Sequence, residues 1–117
     1  MVAKRYHILI DVSGVDNAIL HDEVGLDGFL KKLPGLISMS ILKGPEIAVG
    51  IPENPGLSGF VLIDYSHISI HTFTNSQEAL VDIFSCKSYD QEAATNAVLR
   101  YFKIGKNNSR IQIVCWE

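Results

Sequence analysis

Cysteine is scarce in this chain: Cys86 and Cys115 are the only two. They are too few and too far apart for a disulfide framework or a zinc knuckle, and such sparing use points to a reducing, cytoplasmic location. A cationic surplus is also lacking. Ten Lys and Arg against 13 Asp and Glu leave a formal charge of -3. No basic stripe with interleaved aromatics runs through the sequence, which argues against a nucleic-acid surface. No apolar run reaches the length of a membrane span. The basic start of "MVAKRYHILIDV" resembles the opening of a signal peptide, but Asp11 interrupts its apolar run and no small-residue cleavage site follows, so it reads as a first strand. Linkers and low-complexity tracts are absent, and 117 residues then read as one domain, 1–117.

What is present is core material. The chain is 47% hydrophobic and 20% charged, enough for a buried core at modest stability. Tyr6–Val12 reads as a strand. From Val15 to Leu33 the apolar positions recur mostly at helical spacing, weakened by Gly25 and Gly28, and Pro34-Gly35 is expected to stop that helix. Leu36–Lys43 alternates Ile37, Met39 and Ile41 against Ser38 and Ser40, the pattern of a half-buried strand. "EIAVGI" reads as a short strand, "PENPG" as a turn, "SGFVLIDY" and "SHISIHTF" as two strands, and Ala79–Cys86 as another. "SYDQEAATNAVLRYFKIG" reads as a helix with an inner stripe of Ala94, Ala97, Val98, Tyr101 and Phe102. Ser88 with Gln91, or Asp90, would cap its start and Gly105 would end it. Arg110–Trp116 closes as a strand. Two strand–helix–strand units with extra hairpin strands imply an α+β, two-layer α/β sandwich. Its sheet is mainly antiparallel, with two helices on one face and an internal β-α-β pseudo-repeat.

The polar residues inside "DYSHISIHTF" demand partners, because a buried polar group without a hydrogen bond costs free energy. Ser66 stands at the junction of two strands, where a strained backbone would let its hydroxyl attack the preceding carbonyl. His71 lies five residues on. In a regular strand those two side chains point to opposite faces, so they share a site only if the chain bends near Ser66. Cys86 ends the next strand, and a thiol and an imidazole on adjacent strands are a candidate acid–base pair. Simpler readings compete. A lone serine at such a junction is more often a turn residue, and a lone cysteine more often a small core residue. Asp82 between Val81 and Ile83 would ordinarily face solvent. His67 and His71, four apart on a strand, are about 13 Å from each other, too far to share a metal.

Taken together, the motifs resemble the prokaryotic S-adenosylmethionine decarboxylase proenzymes. The matching elements are Ser58-Gly59 ahead of an apolar strand, then Ser66-His67-Ile68-Ser69-Ile70-His71-Thr72, then Asp82-Ile83-Phe84-Ser85-Cys86. The close match runs from about Gly56 to Cys86. The resemblance implies a self-cut, pyruvoyl-dependent enzyme of polyamine (spermidine) biosynthesis. The chain would part between Tyr65 and Ser66 into a β chain 1–65 and an α chain 66–117, and Ser66 would become the pyruvoyl group. That group forms a Schiff base with the substrate amine and takes up electrons as carbon dioxide leaves, as pyridoxal phosphate does elsewhere. The resemblance also assigns His71 to acid–base work in processing and Ser58 to its support. Cys86 would protonate the substrate carbon, Phe73 would stack on the base, and Asp11 would be a further substrate contact. A homodimer with sites shared between subunits is implied too; no metal, membrane or nucleic acid is.

The sequence departs from the family pattern at several positions. Tyr65 stands where many members carry Glu, Phe73-Thr74-Asn75 replaces Trp-Pro-Glu, and Lys87 replaces the Gly that follows the cysteine. The cutting machinery is matched and the nucleoside contacts are altered. Glu53 and Glu78 are candidates to replace the carboxylate that Asn75 lacks. Two alternatives to S-adenosylmethionine decarboxylation therefore stand: a pyruvoyl decarboxylase of arginine or ornithine, and an uncut family member serving as a binding or regulatory subunit.

Overall fold

The computed structural model describes residues 2–117. The elements are β1 (Arg5–Ser13), α1 (Asn17–Leu20), α2 (Glu23–Leu36), β2 (Ile41–Ile51), β3 (Asn54–Ile63), β4 (Ser66–Phe73), β5 (Glu78–Ser85), α3 (Gln91–Phe102) and β6 (Ser109–Trp116), with a 3-10 turn at Lys106–Asn108. The six strands form one sheet in the order β2-β3-β4-β5-β1-β6, and every neighbouring pair is antiparallel. It follows that β1 and β2 run in the same direction, as do β5 and β6. Parallel strands cannot be joined by a hairpin, which is why α2 and α3 lie in those two connections. This is the α+β sandwich expected from the sequence.

Alternation along the strands separates the two faces of the sheet. Ile8, Ile10 and Val12 of β1, Val61 and Ile63 of β3, Ile68 and Ile70 of β4, and Val81 and Ile83 of β5 are all buried. They meet Leu26, Leu30 and Leu33 of α2 and Ala94, Val98 and Phe102 of α3 in one core. The interleaved positions form an open face. It carries His7, Leu9 and Asp11, then Ser58, Phe60 and Leu62, then His67, Ser69 and His71, and finally Leu80, Asp82 and Phe84.

Three boundaries differ from the sequence expectation. The first helical stretch is two helices, because Asp16 and Asp22 each accept a backbone N–H and start a helix, Asp16 from Ala18 and Asp22 from Gly25. Pro34-Gly35 does not stop α2. Pro34 forfeits only its own amide bond in the last turn, while its carbonyl accepts from Ile37 and Met39. Ser38 then turns left-handed at φ 60° and closes the helix, so Leu36–Ile37 belong to a helix end rather than to a strand. The alternation that suggested a strand is real burial, of Ile37 and Met39, but it comes from the chain folding under the helix end. For α3, Asp90 is the cap, accepting from Ala93, and the left-handed Lys103 ends the helix two residues before Gly105.

Two glycines in the matching stretch are structural. Gly59 faces the core, where an added Cβ would lie 2.8 Å from both Leu30 and Ile47 side chains, so α2 packs directly on β3 there. Gly56 has φ 149°, and a Cβ on it would run into the Thr72 carbonyl. Thr72 is itself fixed: it accepts from the Leu57 N–H at 2.8 Å and donates to the Leu20 carbonyl at 2.6 Å. Gly56→Ala is therefore expected to destabilise the fold by about 3 kcal/mol, from backbone strain plus the clash. Urea denaturation of the two proteins measures it.

Candidate active site

The β3–β4 hairpin turns on Asp64 and Tyr65 alone, with Ile63 paired to Ser66. Ser66 has φ 147°, a region that is almost exclusively glycine's and that costs a residue with a side chain on the order of 1–3 kcal/mol. Such a conformation persists only where surroundings impose it. Here the Asp64 N–H donates to the Ser40 carbonyl at 2.9 Å, and the Ser40 N–H donates to the Asp64 carboxylate at 3.1 Å. The Tyr65 carbonyl, on the bond expected to be cut, accepts the backbone N–H of Cys86 at 2.9 Å. A donor aimed at that oxygen polarises the carbonyl and would support negative charge developing on it.

Cys86 is held in turn. Ser85 is fully buried, and its hydroxyl donates to the Lys87 carbonyl at 2.7 Å while accepting from the Lys87 N–H at 2.9 Å. Tyr89 donates to the Ile83 carbonyl at 2.9 Å, and burial pushes its phenol up to about 12. The half-buried Cys86 thiol thus sits on a fixed segment beside the turn.

A second group lies farther along the sheet. Ser58 and His71 face each other across β3 and β4, and Ser58 Oγ is 2.7 Å from His71 Nδ1. A cavity of about 610 Å³ on the open face is lined by His71, Ser69, Leu80, Asp82, Asp11 and Arg110, among others. Asp11 is ion-paired to Arg110 at 3.1 Å. Phe73 is at the far end of β4, opposite Glu78, next to the turn that carries Asn75. Glu53 is exposed in the β2–β3 turn at that same end.

Ser66 and His71 do not meet within one chain. Ser66 has an unusual φ but stays in register with Ile63 and Ser85, and five strand residues separate it from His71 by about 17 Å, while Phe73 lies about 24 Å from it. Tyr65, Ser66 and Cys86 form one group; Ser58, His71 and Asp11 form another, with Phe73 beyond it. The sequence reading did not single out Arg110, the partner of Asp11. It also missed His7, which contacts the Asp82 carboxylate and packs 5.4 Å from Phe84, ring to ring. Alternation in β1 and β5 put His7 and Asp82 on the open face, yet their contact depends on the β1–β5 register. Among the described residues no group of three or more His, Cys, Asp or Glu could hold a metal ion. No helix among them is long and apolar enough to cross a membrane.

A six-stranded antiparallel sheet backed by helices has a counterpart among solved structures. The crystal structure of the adenosylmethionine decarboxylase from Aquifex aeolicus superimposes with a TM-score of 0.79 over 97% of this chain and 91% of that one, at 23% identity. The two share a fold. The sequence profile of the S-adenosylmethionine decarboxylase family matches residues 6–112. An S-adenosylmethionine decarboxylase proenzyme of Pyrobaculum islandicum is 32% identical over 98 residues, 83% of this chain and 77% of that protein. One of Caldanaerobacter subterraneus is 36% identical over 89 residues, 74% of this chain and 67% of the other. The chain belongs to the S-adenosylmethionine decarboxylase family.

Proposed function

We propose that this chain cuts itself between Tyr65 and Ser66, and that the product decarboxylates S-adenosylmethionine. The observation that carries the reading is the pairing of φ 147° at Ser66 with the Cys86 N–H on the Tyr65 carbonyl. The Ser66 hydroxyl adds to the Tyr65 carbonyl carbon, the bond to the Ser66 nitrogen breaks, and the hydroxyl proton ends on that nitrogen, leaving an ester. Attack relieves the backbone strain, and the Cys86 N–H holds the oxygen while it is charged. Loss of the Ser66 Cα proton with cleavage of its Cβ–Oγ bond then frees residues 1–65 as a carboxylate. One water replaces ammonia on the remainder of Ser66 and leaves a pyruvoyl group at the head of 66–117.

That group supplies a carbonyl that condenses with the substrate amine and accepts electrons as carbon dioxide leaves. Cys86, beside it, delivers a proton from Sγ to the substrate carbon. His71, tied to Ser58, moves the proton in processing, and Asp11 and Phe73 hold the substrate.

Those roles need the two half-sites to meet, and a second copy of the chain brings them together. The open face exposes Phe60 at 43%, Leu62 at 38% and Leu80 at 40%, apolar area that a mated sheet would cover. Two such faces packed by a two-fold axis across β4 set Ser66 and Cys86 of one copy against Ser58, His71 and Phe73 of the other. Mixing tests this. Co-expressed Ser66→Ala and His71→Ala chains are expected to yield cut His71→Ala chains, because each keeps the half-site the other lacks. If neither chain is cut, the shared site is refuted. Intact mass of the parent protein tests the function itself: two fragments, 1–65 and 66–117, are expected, and one full-length mass after long incubation at neutral pH overturns it.

A further inference from the structure

Tyr65 precedes the reacting serine and Lys87 follows the reacting thiol, and the two side chains touch. The Lys87 ammonium lies 4.8 Å from the centroid of the Tyr65 ring. Among the described residues Lys87 is in no ion pair, so the ring is the partner its charge has. The stem of Lys87 starts from a fixed point, because the buried Ser85 hydroxyl holds the Lys87 backbone from both its N–H and its carbonyl. Ser85 also pairs with Ser66 in the β4–β5 register. The lysine is thereby tied to the strand that carries the nucleophile.

A turn of two residues cannot impose the conformation of Ser66 on its own. It needs anchors, and each residue of the turn has one. Asp64 is anchored through its N–H and carboxylate to Ser40. The Tyr65 backbone is anchored through its carbonyl to Cys86. The Tyr65 ring, 38% exposed, is anchored by Lys87. If the ring swings free into solvent, the carbonyl beneath it is less restrained and the hairpin relaxes away from the geometry of attack.

We propose that the Tyr65–Lys87 contact is a clamp that holds the scissile carbonyl on the Cys86 N–H, making Lys87 a positioning residue for self-cutting. The proposal rests on the self-cutting reading above and adds to it a residue that acts through Tyr65. A cation over an aromatic ring at a partly exposed site is a weak contact, and the expected effect on the cutting rate is about two- to fivefold.

The test follows chains made by cell-free translation, so that cutting is observed from the start, with intact mass read at intervals. Lys87→Met keeps the stem and removes the charge, and is expected to slow cutting about two- to fivefold. Lys87→Arg is expected to recover most of the rate, a rescue that a purely structural stem would not produce. Tyr65→Leu is expected to slow cutting similarly, and the double variant Tyr65→Leu/Lys87→Met to be no slower than the slower single, since the pair acts as one contact. A Lys87→Met chain that cuts at the parent rate, or a double variant whose slowing is the product of the two singles, overturns the clamp while self-cutting stands. A parent chain that never cuts overturns both.

Discussion

Ser66→Ala is expected to remain a single full-length chain with no decarboxylase activity, under conditions where the parent separates into 1–65 and 66–117. The alanine keeps the backbone of the hairpin, since it meets the same φ of 147° that the serine already tolerates, and the anchors at Ser40 and Cys86 are backbone and Asp64 contacts that the substitution leaves in place. What it removes is the only atom that can attack. The loss is therefore complete rather than graded. The variant also separates self-cutting from proteolysis. Tyr65 is exposed in a tight turn, and a contaminating protease would nick Ser66→Ala as readily as the parent. Fragments from Ser66→Ala would sink the proposal. So would a parent fragment 66–117 that carries a free α-amine, because self-cutting removes that nitrogen as ammonia.

Cys86→Ala is expected to behave in the opposite way, cutting nearly normally and then failing to turn over. The group of Cys86 that meets the Tyr65 carbonyl is its backbone N–H, which alanine retains. The side chain is assigned to the later step, the proton delivered to the substrate carbon. Loss of a positioned proton donor typically costs about 10²–10⁴-fold in rate, roughly 3–5 kcal/mol of barrier. The predicted signature is two fragments by mass, a KM for S-adenosylmethionine near that of the parent, and a kcat lowered by that factor. A variant that decarboxylates at the parent rate, with the same products, would remove Cys86 from the mechanism. The same assay run with arginine and ornithine decides among substrates. The altered stretch Phe73-Thr74-Asn75 makes that comparison worthwhile, because trading an ionised acceptor for an amide gives up a charge-assisted hydrogen bond of about 1.5–3 kcal/mol.

Much of this molecule was legible from period and spacing alone. A strand buried on one face repeats every two residues, and β1, β3, β4 and β5 show that repeat in Ile8, Ile10 and Val12, or in Ile68, Ile70 and Thr72, whatever surrounds them. The two strand–helix–strand units then require a layered sandwich. Ser58, Ser66, His71 and Cys86, at their particular separations, carried a resemblance to the family, and it was the resemblance that implied their chemistry. Helix ends were less legible. The capping choice between Ser88 and Asp90, and the passage of α2 through Pro34, depend on one or two hydrogen bonds that several sequences of residues could make.

Tertiary structure alone decided where the groups of the proposed site stand. Alternation says which face a residue occupies, but it carries no information about which strands are neighbours or in what register. Only the β3–β4 pairing sets Ser58 against His71, and only the approach of the segment after β5 to the hairpin turn puts the Cys86 N–H on the Tyr65 carbonyl. The value of φ at Ser66 is likewise set from outside, since no serine prefers that region and neighbouring elements must impose it. The separation of the two half-sites along β4 follows from the rigidity of a paired strand, which cannot fold back within eight residues. Sequence determined which groups are available and the fold that carries them; the pairing of strands, a long-range property of the folded chain, determined which of those groups can act on one another.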